Sequence, residues 1–292
     1  MSSRTYCLIT VTVFVIFGSN VFADRQTSIA GKQLIIARYT NTPVVIDGVF
    51  APGEWSAAIP IHVKANKPAT APGLVPNLPF FPFLVPPDNQ DDSSFTISTM
   101  YDDDNLYVAV NVADDILIND GPFAFLDDDV ELFVDGDKQP FDLLAALVCG
   151  PSNPDCPEPV INNEGFQILT SVGGNRATVP DNNPAIVWES KTGPRPRGFL
   201  AEFRIPLDSI NTIDTSFFTD GDPNAGFRRP SPGDTIGFNV TVGDDDNGGD
   251  SYLRSEPGVH TDSYIAWDGS SLNWFFAAEQ DWGSLYFAPR DV

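Results

Sequence analysis

Residues 127–137 read DDDVELFVDGD, an apolar strand with aspartates crowded at both ends and one glutamate, Glu131, inside it. Side chains alternate along an extended chain, so Val130, Leu132 and Val134 share one face while Glu131 and Phe133 share the other. The same period of two runs through NLYVAVNVA (105–113), where Leu106, Val108, Val110 and Val112 oppose Tyr107, Ala109 and Asn111. It recurs in GFLAEFRIPL (198–207), with Phe199, Ala201, Phe203 and Ile205 opposite Leu200, Glu202 and Arg204. In DTIGFNVTVGD (234–244), Ile236, Phe238, Val240 and Val242 oppose Gly237, Asn239 and Thr241. One apolar and one polar face per strand is the pattern of antiparallel sheets packed on one side. With 26 Pro and 23 Gly cutting the chain into short segments, the expected fold class is all-β, an antiparallel β-sandwich or an open barrel.

Two segments interrupt this rhythm. Residues 66–92 are rich in Pro around an apolar FFPFLV, and Pro cannot donate regularly to a ladder, so a long covering loop is expected there. Residues 136–163 form a second insertion that carries Cys149 and Cys156 in CGPSNPDC. At the N-terminus, Arg4 precedes the apolar run YCLITVTVFVIFG and a small-residue exit at Ala23, the layout of a signal peptide. The run is shorter than the ~20 residues a membrane span needs. The reading is therefore a leader over 1–23, no membrane insertion, and an exported, secreted single domain over 24–292. In that oxidising compartment the Cys149–Cys156 pair reads as a disulfide closing a small loop, with two free thiols as the alternative.

Charge sets the partner classes. Sixteen Lys and Arg stand against 40 Asp and Glu, a formal net charge of −24. Such a chain repels nucleic acid phosphates and anionic lipid, and suits cations or neutral ligands. Hard cations take six to eight oxygens from acidic loops. DGDPNAG (220–226) sets Asp220, Asp222 and Asn224 at alternate positions, and GDDDNGGD (243–250) offers Asp244, Asp246 and Asp250. The knots at 102–104 and 127–129 are further candidates for calcium; the competing reading is a set of Asp-favouring turns. Asn239-Val-Thr241 is a glycosylation sequon, read on the solvent phase of its strand. Serine-hydrolase, metalloprotease and phosphate-loop motifs do not occur, and two His, His62 and His260, are too few and scattered for a zinc site, so no enzyme is expected, although a glycoside hydrolase needs only two carboxylates and stays open among 40 acids.

In order along the chain, TPVVIDGVFAPGEWSAA (42–58), YDDDNLYVAVNVADD (101–115), DDDVELFVDGD, GFLAEFRIPLDSI (198–210), PGDTIGFNVTVGDDD (232–246) and SYIAWDGSSLNWFFAAEQDWGSLYF (263–287) resemble carbohydrate-binding module family 9 and the wider DOMON-like sandwiches. The resemblance implies a non-catalytic module that grips a terminal sugar of a polysaccharide or oligosaccharide between two aromatic rings. The family's first ring falls on Phe125, where the family has Trp, and its second on Trp274. Glu131 matches a carboxylate that hydrogen-bonds sugar hydroxyls. A basic residue of the family has no match, and Gln167 stands nearest. Glu202, Arg204 and Asn239, on the polar phase of their strands, are the remaining candidates for sugar contact. The family also implies structural calcium, and it assigns Trp55 to the core. Two other readings stay open: an acidic calcium-binding structural or surface protein without specific sugar binding, and, as the resemblance to DOMON-like domains implies, a haem-binding domain with Met100 as axial ligand.

Overall fold

The structure, a computed structural model, describes residues 33–42, 44–64, 92–139, 165–179, 185–215, 222, 225–246, 263–267 and 282–290. Cys149, Cys156, residues 66–91 of the Pro-rich insertion and most of the second insertion lie outside them.

Twelve strands follow the alternating segments: β1 (Leu34–Tyr39), β2 (Ile61–Val63), β3 (Ser94–Tyr101), β4 (Asn105–Ala113), β5 (Asp129–Asp135), β6 (Gly165–Ser171), β7 (Arg176–Val179), β8 (Glu189–Pro194), β9 (Phe199–Pro206), β10 (Thr235–Asp244), β11 (Ser263–Ala266) and β12 (Gly283–Phe287). Their hydrogen-bonded order is β7-β6-β5-β10-β12-β1-β3-β4-β9-β8, with β11 on β10 and β2 on β3. The ladder folds into two sheets that share β1. That strand runs parallel to both β12 and β3, so the antiparallel pattern expected from the sequence holds everywhere except at this seam. At the far ends of the path, side chains connect β7 and β8. Trp188 Nε1 donates to Thr178 Oγ1 at 2.8 Å, and Thr192 Oγ1 donates to the Val172 carbonyl at 2.9 Å.

The apolar phases named above form the core between the sheets. Leu106, Val108, Val110 and Val112 of β4 and Phe199, Ala201, Phe203 and Ile205 of β9 pack in one cluster with Val130, Leu132 and Val134 of β5 and Ile236, Phe238, Val240 and Val242 of β10. Burial of this surface is the main favourable term in folding. A second, smaller core covers the outer face of the β4–β9 sheet, where Val44 and Trp55 pack on Met100, Tyr107, Ala109 and Leu200. Trp55 is thus a core residue, as the resemblance implied. Met100 is fully enclosed in the same apolar cluster, which removes the observation on which the haem reading stood.

Glu202 ties that outer layer down. Its carboxylate accepts the Gly48 amide at 2.8 Å, the Asp47 amide at 3.2 Å and Trp55 Nε1 at 3.1 Å. Burial raises its pKa, and those three bonds work against the rise by favouring the charged form. Gly48 makes the turn possible. Its φ is +80°, and a Cβ there would stand 2.6 Å from the Thr192 carbonyl oxygen. Gly48→Ala is therefore expected to lower stability by about 1–3 kcal/mol, read as a lower urea midpoint with an unchanged slope.

Candidate functional site

At one end of the sandwich the start of β3, the end of β4, the start of β5 and the end of β10 converge. Ser94 pairs with Ala113 across β3 and β4, and Asp129 pairs with Gly243 across β5 and β10. Each of these strand ends carries aspartate. Asp92, Asp114, Asp115 and Asp246 bring one carboxylate oxygen apiece within 4.8 Å of one another, and so do Asp114, Asp128 and Asp244. Asp114 belongs to both groups, so the carboxylates form one continuous centre bridging the two sheets. Asp244 and Asp246 were legible in GDDDNGGD, and Asp128 in the knot at 127–129. Asp92, Asp114 and Asp115 were missed, because they sit singly or paired on other segments and only strand pairing brings them together.

Burial is the first cause of the raised pKa of Asp114, to about 7, and the charges of Asp92, Asp246 and Asp115 add to it. Burial, then Asp114, raises Asp128 to about 9. Burial, with Asp92, Asp246 and Asp114, raises Asp244 to about 8. Backbone amides offset part of this cost. Asp114 Oδ1 accepts the Ile116 amide at 2.9 Å, Asp128 Oδ1 accepts the Asp245 amide at 2.8 Å, and Asp128 Oδ2 accepts the Ile118 amide. Ser93, which adopts φ +54°, has a wholly buried hydroxyl without a hydrogen bond of normal geometry, although it lies near enough to Asp244 to favour its charge. An all-oxygen donor set with converging carboxylates fits a hard divalent cation of the calcium class. Asp92, Asp114, Asp115, Asp128, Asp244 and Asp246 would hold it.

The other acidic segments divide differently. Asp102 of the 102–104 knot is a turn residue. Its Oδ1 accepts the Asp104 and Asn105 amides at 2.8 and 2.7 Å, and its Oδ2 accepts the Tyr107 hydroxyl at 2.7 Å. Burial works against its charge, but these bonds outweigh it and hold the carboxyl below the usual range. In DGDPNAG, Asp222 is exposed and its carbonyl accepts the Ala225 amide. Asp220, Asn224 and Asp250 lie outside the described residues.

The sugar-site candidates also separate. Register places Glu131, Gln167, Asn239 and Thr241 on one face of the β6–β5–β10 sheet, around Phe133. This face is withdrawn from solvent: Glu131 is 0% exposed, Gln167 3%, Asn239 3% and Thr241 1%. The 239–241 sequon is therefore buried rather than on the solvent phase, and a folded chain presents no acceptor there. Trp282 packs against Phe133 with ring centroids 5.3 Å apart. Trp282 and Trp267 are both buried. Phe125 lies half-buried in a 3-10 turn just before β5 and stacks on Phe123 at 5.5 Å and 11°. Phe123 is half exposed. Arg204 and Glu202 do not join this group. They project from β9 on the outer face of the other sheet, where Arg204 pairs with Glu189 at 2.7 Å. Strand phase was read correctly for both, but phase does not reveal which sheet a strand enters. Trp274 lies outside the described residues.

Residues 84–141 match the family model described as carbohydrate family 9 binding domain-like. The fold is that of a family 9 carbohydrate-binding module. Two solved structures of a family 9 module from Caldicellulosiruptor kristjanssonii are similar to it. The complex with cellotriose has a TM-score of 0.54 at 17% identity, covering 88% of this chain and 95% of that one. The complex with glucose has a TM-score of 0.52 at 16% identity, covering 88% and 97%. No curated protein matches the chain by sequence.

The raised carboxyls give a pH prediction. An Asp whose folded pKa lies above its unfolded value of 3.8 keeps its proton in the folded chain while the unfolded chain releases one. Folding stability then falls as pH rises through that interval. In chelator, the melting temperature is expected to drop between pH 5 and pH 8, the window set by Asp114, Asp244 and Asp128. Asp128→Asn should flatten that slope, measured by differential scanning fluorimetry across pH.

Proposed function

We propose that this chain is an exported, non-catalytic carbohydrate-binding protein stabilised by calcium. The observation that carries the reading is the family 9 fold, found in modules solved with cellotriose and glucose. Support also comes from the one sheet face that gathers Glu131, Gln167 and Asn239 beside Phe133. Sugars offer flat apolar faces to aromatic rings and a rim of hydroxyls to amides and carboxylates, which suits such a mixed lining. In this reading Phe125 and Trp274 form the aromatic clamp, Glu131, Gln167 and Asn239 take the hydroxyls, and an oligosaccharide is the partner. Calcium at the Asp114–Asp128–Asp244 centre neutralises the buried charge and locks the two sheets together. The leader over 1–23 directs export, and Cys149 and Cys156 form a disulfide.

A second reading, an acidic calcium-binding structural protein without specific sugar binding, draws on the near-complete burial of Glu131, Gln167 and Asn239. One experiment separates the two. The chain from residue 24 is screened on a glycan array and titrated with cello-oligosaccharides, with calcium and with chelator. The carbohydrate reading expects saturable binding that Phe125→Ala weakens by about tenfold or more, since a stacked aromatic contributes on the order of 1–3 kcal/mol. A calcium-dependent melting shift with no glycan bound would favour the structural reading instead.

A further inference from the structure

A separate set of buried oxygens occupies the sheet face of β5 that Glu131 shares. Asp129 and Glu131 are two residues apart and so point to the same side of the strand. Asp129 Oδ1 accepts the Gly243 amide at 3.1 Å, but Oδ2 has no hydrogen bond. Neither oxygen of Glu131 has one; the Gln167 amide comes close enough to favour the charged form without reaching hydrogen-bond geometry. Thr241 faces Glu131 directly across the β5–β10 ladder, and its Oγ1 is likewise buried and unbonded. Gly243, across from Asp129, has no side chain.

These groups are at most 1% exposed, and two carboxylates so enclosed must either keep their protons or meet a counter-charge. Among the described residues no Lys or Arg side chain is placed to supply that counter-charge. Arg204 is paired with Glu189 on the other sheet, and Arg176 lies over Trp188. The Lys138 ammonium donates to Ser284 Oγ, while the Lys138 amide donates to Asp135 Oδ1. That is the opposite end of β5, four residues and roughly 13 Å along the strand from Glu131.

We propose that Asp129, Glu131 and Thr241 hold a divalent cation of the hard, oxygen-preferring class, distinct from the ion at the Asp114–Asp128–Asp244 centre. Glu131 supplies both oxygens, Asp129 supplies Oδ2 and Thr241 supplies its hydroxyl. Carboxylate and hydroxyl donors without sulfur or imidazole select calcium-like ions over zinc. The site gives the buried face its neutrality and fixes the Glu131 carboxylate. It stands whether or not the chain binds sugar.

The full chain, stripped with chelator, is titrated with calcium by calorimetry and with terbium by luminescence excited through tryptophan. Trp282 is placed to sensitise the ion, since its ring lies 5.3 Å from Phe133, the next residue after Glu131 on the same strand face. Wild type is expected to show two classes of site. Glu131→Gln and Asp129→Asn, both close in shape to the native residue, should each remove one class and spare the other, while Asp128→Asn does the reverse. Thr241→Val should weaken the Glu131 class by roughly tenfold. Trp282→Phe should lose the sensitised signal with unchanged calcium stoichiometry, which tests the site even if a carboxylate variant fails to fold. Full stoichiometry in Glu131→Gln, a signal that survives Trp282→Phe, or a wild type whose every bound ion is lost in Asp128→Asn would overturn the proposal. Glycan titration of the same samples is a separate readout, so loss of sugar binding with intact ion stoichiometry bears on the carbohydrate reading alone.

Discussion

Buried negative charge is the constraint around which this molecule is arranged. Four strand ends from two sheets deliver Asp92, Asp114, Asp128, Asp244 and Asp246 to one place, where burial and mutual repulsion push the carboxyls of Asp114, Asp128 and Asp244 far above their usual range. Such an arrangement resists folding unless protons, amides or cations answer it. The Ile116, Ile118 and Asp245 amides answer part. Because Asp114 comes from the β4 side and Asp128 and Asp244 from the β5–β10 side, whatever neutralises the centre also joins the sheets.

The same economy explains why the loop before β5 has a defined shape with a single 3-10 turn, Ala124–Leu126, as its regular structure. Residues 115–126 are held by carboxylates at their edges: Asp114 takes the Ile116 amide, Asp128 takes the Ile118 amide, and Asp127 takes the Gly121 amide at 2.7 Å. Phe123 and Phe125 ride on that loop. The aromatic pair and the acidic centre are thus parts of one local structure, which links cation chemistry to the surface nearest the proposed sugar face.

Glu131 and Glu202 show how similar sequence settings acquire different roles. Each is a glutamate on the polar phase of an alternating strand, and each is fully buried. Glu202 meets the Asp47 and Gly48 amides and the Trp55 indole, so it is a structural acceptor that holds the outer layer. Glu131 meets no such donors in normal geometry. The difference lies in what packs over the face, and the strand itself contains no signal for it.

Alternation alone was enough to determine the four central strands β4, β5, β9 and β10, their inward faces and the all-β class, because a period of two survives in the sequence wherever one face is buried. Local composition also placed Asp244, Asp246 and Asp128 among the candidate ligands, and the family resemblance placed Trp55 in the core. Tertiary structure decided the remainder. It separated Arg204 from Glu131 by sending β9 into the other sheet, buried the 239–241 sequon, and made β1 a parallel seam between sheets. It also assembled Asp92, Asp114 and Asp115 with aspartates more than a hundred residues away. Strand phase is a one-dimensional property, whereas sheet membership and the convergence of strand ends depend on pairing between distant segments.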